Sequence, residues 1–62
     1  MPVITIEAAK LTKEQKAVMT KEMTETASRV MNLPPQAFYV FIKENEPDNI
    51  GVGGTLLSDK KE

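Results

Sequence analysis

Apolar and polar positions in this chain follow two different periods. Pro2 to Glu7 reads PVITIE, in which Ile4 and Ile6 share one face and Val3 and Thr5 the other. β-branched residues at this density suit a pleated strand. Ala8 to Leu11 makes a short connection, and then the period changes. Val18 or Met19, Met23, Ala27 and Val30 or Met31 recur at three- and four-residue steps, which predicts a helix with one apolar stripe. Its start is marked at Thr12-Lys13-Glu14-Gln15, a capping box in which the Thr12 hydroxyl accepts from the Gln15 N–H and the Gln15 side chain reaches back. No Gly or Pro interrupts Lys13 to Met31, and Asn32 with Pro34-Pro35 ends the run.

The two-residue period returns in Phe38 to Glu44, FYVFIKE. Phe38, Val40 and Ile42 face one way, and Tyr39, Phe41 and Lys43 the other. Both faces are largely apolar. One helix can cover only one face of a two-stranded sheet, so the other face calls for self-association. Glu46-Pro47-Asp48-Asn49 is turn chemistry. Ile50 to Thr55, IGVGGT, holds glycines that suit a tight hairpin with a close backbone approach. Leu56 and Leu57 precede a charged tail, Asp59 to Glu62. The predicted fold is α+β: a β-α-β subunit with a parallel strand pair, one helix and a small C-terminal hairpin, assembled into an oligomer. Two strands bracketing a helix pair in parallel through a right-handed crossover. Residues 1–62 read as a single domain.

Size strengthens the case for assembly. The chain has 62 residues, and a monomer of that size buries only about 60% of its unfolded surface. Disulfides, metals or oligomerisation usually compensate. The sequence has neither cysteine nor histidine, which excludes disulfides and Cys-based metal sites and leaves carboxylates as the only strong metal ligands. Oligomerisation is the favoured staple, with a lone marginal monomer as the alternative. Eight basic and nine acidic side chains give a net charge of −1, so bulk charge does not draw the chain to nucleic acid. No apolar run approaches the roughly 18 residues that span a bilayer, and Met1-Pro2-Val3 does not resemble a signal peptide. A cytoplasmic location without membrane or nucleic-acid partners is expected.

The candidate chemistry starts at Pro2. A proline opening an edge strand is ordinary. Its place directly after Met1 offers a second reading: removal of Met1 leaves a free secondary amine. An α-amino group titrates near pH ~8 in model peptides. Apolar surroundings or a nearby cation lower that value and make the amine a base at neutral pH. The glycine run is a turn rather than a nucleotide loop, because no helix follows it to receive a phosphate. Glu44 and Glu46 read as a solvated acidic loop with Asp48. The helical methionines read as core filler and Arg29 as part of the solvated helix face.

Taken in order, these features resemble the 4-oxalocrotonate tautomerase family. The resemblance is carried by Met1-Pro2 opening a strand, Thr12-Lys13-Glu14-Gln15-Lys16 opening the helix, Ile42-Lys43-Glu44 ending the second strand, and Ile50-Gly51-Val52-Gly53-Gly54. It implies a cofactor-independent, metal-free isomerase in which Pro2 moves a proton between carbon and oxygen of an enol or 2-oxo acid. It also implies a homohexamer built as a trimer of dimers, in which the glycine hairpin helps close a neighbour's site, and a place in aromatic compound degradation. The chain departs from the family at three positions. The family's arginine before the helix cap is Leu11 here, with Lys10 the nearest cation. Its arginine early in the second strand is Tyr39, and its aromatic before the glycines is Ile50. Lys10, Tyr39 and Ile50 are accordingly the expected substrate-binding residues. A lysine is a flexible point charge where an arginine binds a carboxylate bidentately, so a substrate with one carboxylate, or a weak activity on the family's dicarboxylate, is expected. The alternatives are a Pro2-dependent hydratase or decarboxylase, and a non-catalytic oligomeric module of the same fold.

Overall fold

A computed structural model describes residues 1–59; of the charged tail Asp59 to Glu62, the last three residues lie outside that range. Strand β1 is Val3–Ala8, helix α1 is Lys13–Met31 and strand β2 is Tyr39–Glu44. β1 and β2 pair in parallel, from Val3 opposite Tyr39 to Ala8 opposite Glu44. Two short strands, β3 (Gly51–Val52) and β4 (Thr55–Leu56), form an antiparallel hairpin. Single 3-10 turns occupy Pro35–Ala37, Pro47–Asn49 and Leu57–Asp59.

The helix boundaries follow from side-chain chemistry. The Gln15 N–H donates to Thr12 Oγ1 at 3.0 Å, and the Thr12 N–H donates to Gln15 Oε1 at 2.9 Å, so the capping box is closed. At the other end Asn32 takes a left-handed conformation with φ 57°. Its N–H and that of Leu33 both donate to the Ser28 carbonyl, which ends the helix as C-terminal caps do. β2 begins one residue later than the alternation implies. The Phe38 N–H donates to the Pro35 carbonyl at 3.1 Å and closes the preceding turn. In the hairpin, Gly53 and Gly54 have φ of 61° and 88°, the signs that a two-residue type I′ turn requires. Within the chain nothing requires glycine at 51, where a Cβ would meet the Thr55 carbonyl at an ordinary 3.9 Å.

The end of β2 is tied to the start of α1 by one side chain. Glu44 Oε2 accepts the Leu11 N–H at 2.9 Å and pairs with Lys16 Nζ at 3.0 Å. Parallel pairing brings this about: it sets the C-terminal ends of both strands beside the start of the helix that follows β1. Glu44 is therefore a clasp between three segments, and the reading of it as part of a solvated acidic loop is corrected. Lys16 is half-buried. The Leu11 hydrogen bond, followed by Lys16, holds the Glu44 carboxyl below the ordinary carboxylate value of 4.5.

None of the described residues is buried. Ile4, Ile6, Val40 and Ile42 are half-buried on the helix side of the sheet, but Val3, Tyr39 and Phe41 on the other side are 50%, 50% and 56% exposed. The expected helical stripe is only partly covered: Met19 and Ala27 are half-buried, whereas Val18, Met23, Val30 and Met31 are exposed. The hairpin packs chiefly on its flanking turns rather than on the helix or the main sheet. The radius of gyration is 15.2 Å, against about 11 Å for a compact chain of this length. An extended subunit with apolar surface on both sides of a two-stranded sheet is marginal alone in water.

Two predictions follow from these features. The midpoint of thermal unfolding should rise with protein concentration, as mass action requires of a fold completed by association, and Phe41→Asp should sediment as a monomer and lose its helical circular dichroism. A concentration-independent melt with monomeric sedimentation would contradict this. The second concerns acid. A carboxyl held below 4.5 in the folded state contributes stability above that pH and loses it as pH falls through the lowered value. Glu44→Gln should therefore remove part of the stability at neutral pH and flatten the acid limb of a stability-against-pH curve.

Candidate active site

Pro2 stands immediately before β1, half-buried, in phase with Ile4 and Ile6 on the helix side of the sheet. Its carbonyl accepts the Tyr39 N–H at 3.1 Å, which joins the start of the chain to the start of β2. As a proline it contributes no donor of its own, so nothing in the ladder is lost by placing it there. Met1, on its nitrogen, is 83% exposed. While Met1 remains, that nitrogen is an amide without basicity.

Tyr39 is next to Pro2 through its backbone only. Strand alternation turns its side chain to the opposite face, beside Val3 and Phe41. Lys10 lies at the other end of the subunit, two residues beyond β1. β1 has six residues, which separates Lys10 from Pro2 by about 20 Å along the strand at the usual rise. The four-carbon stem of a lysine cannot span that. Lys10 shares a hollow of about 400 Å³ with Glu44, Asn45, Glu46 and Pro47. Ile50, half-buried, belongs to this end too. Its N–H donates to the Pro47 carbonyl at 3.3 Å, and its carbonyl accepts the Leu57 N–H at 2.8 Å. An open apolar groove of about 630 Å³, with Ala8, Leu11, Val18 and Met19 among its walls, also sits toward the start of the helix rather than at Pro2.

The four expected site residues thus fall into two groups at opposite ends of one subunit: Pro2 with the Tyr39 backbone, and Lys10 with Ile50. Charge divides in the same way. Met1 to Thr5 and Ala27 to Phe41, the segments around the Pro2 end, contain one cationic side chain, the exposed Arg29. Lys10, Lys13, Lys16 and Lys43 all stand toward the other end. Glu44 is the residue that sequence reasoning undervalued. The available signal was the combination of a parallel β-α-β order with a carboxylate ending the second strand and a lysine one turn into the helix.

The comparisons with known proteins agree with this architecture. The family described as Tautomerase enzyme matches residues 2–60. A probable tautomerase of Listeria monocytogenes serovar 1/2a is 33% identical over 60 residues, covering 95% of this chain and 98% of that protein. The crystal structure of a 4-oxalocrotonate tautomerase homologue, TTHB242, superposes with a TM-score of 0.88 at 30% identity and covers all of both chains. That of DmpI from Archaeoglobus fulgidus does so with a TM-score of 0.84 at 29% identity, over 94% of this chain and 100% of the other. With a family match from Pro2 to beyond the hairpin and the β-α-β subunit of its homologues, the chain belongs to the tautomerase family.

Proposed function

We propose that the chain is a tautomerase acting as a single domain, residues 1–62, in which the Pro2 nitrogen, freed by removal of Met1, carries a proton between the oxygen and carbon of a small enolised 2-oxo acid. The observation that carries this reading is the position of Pro2: second in the chain, first in the region shared with the family, and at the open end of the parallel pair. The secondary amine takes the enol O–H proton. The electrons of that bond become the second bond of the carbonyl, and the C=C electrons accept a proton from the now cationic Pro2 at the 3- or 5-carbon. The amine returns to neutral and the reaction is redox-neutral, so a proton carrier suffices.

The reading requires more than one copy of the chain. Lys10 cannot reach the Pro2 of its own subunit, so it binds the substrate carboxylate in the site of another copy, and Ile50 supplies an apolar wall from the same end. Tyr39 faces away from its own Pro2 and donates its phenol hydrogen bond to a substrate oxygen from a neighbour. The exposed Val3, Tyr39 and Phe41 face and the exposed helical residues supply the apolar surface for assembly, as a homohexamer of three dimers. A single flexible cation from Lys10 suits a substrate with one carboxylate. The cytoplasm and the breakdown of aromatic compounds are the setting consistent with such substrates.

Two measurements test the reading. Intact mass should show loss of one methionine, and protein retaining Met1 should be inactive. Pro2→Ala, correctly processed and assembled, should lose about a hundredfold or more in kcat toward phenylenolpyruvate, as expected when a positioned base is displaced. Parent-like turnover in that variant would contradict the role given to Pro2.

A further inference from the structure

We propose that Glu44 is a positioning residue for Lys10: it holds the Lys10–Leu11 connection in one conformation, so that the Lys10 ammonium is presented to substrate in another copy's site. This rests on the roles proposed above for Pro2 and Lys10. The connection Ala9–Leu11 links β1 to the helix cap and contains no regular structure. Its Leu11 N–H donates to Glu44 Oε2 at 2.9 Å, and the next N–H, of Thr12, is taken up by Gln15. A hydrogen bond to a carboxylate is shorter and stronger than one to a neutral acceptor. Glu44 thus fixes the peptide unit that joins Lys10 to Leu11.

Lys16 completes the arrangement. Its ammonium sits 3.0 Å from the same Oε2. Glu44 also shares the hollow of Lys10, and without Lys16 the charge of its carboxylate would fall to Lys10 alone. Among the described residues the ion pair is Lys16–Glu44; Lys10 feels the Glu44 charge only at longer range, with no described carboxylate oxygen within 4.0 Å. One lysine satisfies the clasp and leaves the other for substrate. An anchored charge binds better than a mobile one because less freedom is lost when substrate arrives.

A double-mutant cycle tests this with phenylenolpyruvate on the assembled, processed protein. Glu44→Ala should raise KM about tenfold while kcat stays within about threefold, the pattern of lost binding common to ground and transition state. Glu44→Gln, which keeps an oxygen for the Leu11 N–H, should raise KM less. In a Lys10→Ala background, Glu44→Ala should raise KM no further, since the residue it positions is gone. A further tenfold rise in that background, or a fall in kcat at unchanged KM, would overturn the positioning role while leaving Pro2 as the base. If Glu44→Ala does not assemble, Glu44→Gln and Lys16→Ala on both backgrounds give the same decision. A processed parent inactive toward enols with one and with two carboxylates would overturn the Pro2 reading instead, and this inference with it.

Discussion

Two six-residue strands and one helix cannot enclose a core, and everything else about this subunit follows from that shortage. The parallel pair is apolar on both faces, and its one helix reaches only one of them. Even there the cover is partial, with Ile4, Ile6, Val40 and Ile42 half-buried and no described side chain fully withdrawn from water. Burying a side chain such as Phe or Ile completely is worth about 1.5–3 kcal/mol, so each half-exposed apolar residue is stabilisation not yet realised. Association is the favoured route for a chain without cysteine or histidine.

The same geometry explains why a functional site would lie between copies. A strand pair is rigid and directional. It carries Pro2 at its start and delivers Lys10 and the Ile50 hairpin beyond its finish, about 20 Å away at the usual strand rise. Among the described residues Lys10, Lys13, Lys16 and Lys43 stand toward the end away from Pro2, whose own end carries the exposed Arg29. In the proposed assembly, contact between copies brings unlike ends together, and it serves twice, once to cover the sheet and once to complete the chemistry.

Much of this was legible in the residues. The capping box at Thr12 and Gln15 and the stop at Asn32 placed the helix ends, because those signals are local hydrogen-bond chemistry. The alternation in PVITIE and FYVFIKE placed both strands and showed that the second face lacked cover. Longer-range facts were not local and were harder to read. Glu44 looked like one more acid near a turn, and only the parallel register, which brings Ala8 opposite Glu44, sets it against Leu11 and Lys16. Lys10 and Tyr39 were chosen by their positions relative to a family pattern, which carries no information about which subunit each serves. The helical stripe was read as apolar from its spacing, which does not say what covers it, and four of its residues stay exposed in a single chain.

Subunit mixing tests the central claim, a tautomerase site composed from different copies, most directly. Pro2→Ala chains keep Lys10, and Lys10→Ala chains keep Pro2. The two are refolded together and assayed with phenylenolpyruvate below its KM. If Lys10 serves a neighbour's Pro2, mixed assemblies regain sites with both groups, and activity exceeds the sum of the two variants refolded separately. Activity equal to that sum in verified mixed assemblies would contradict the composite site.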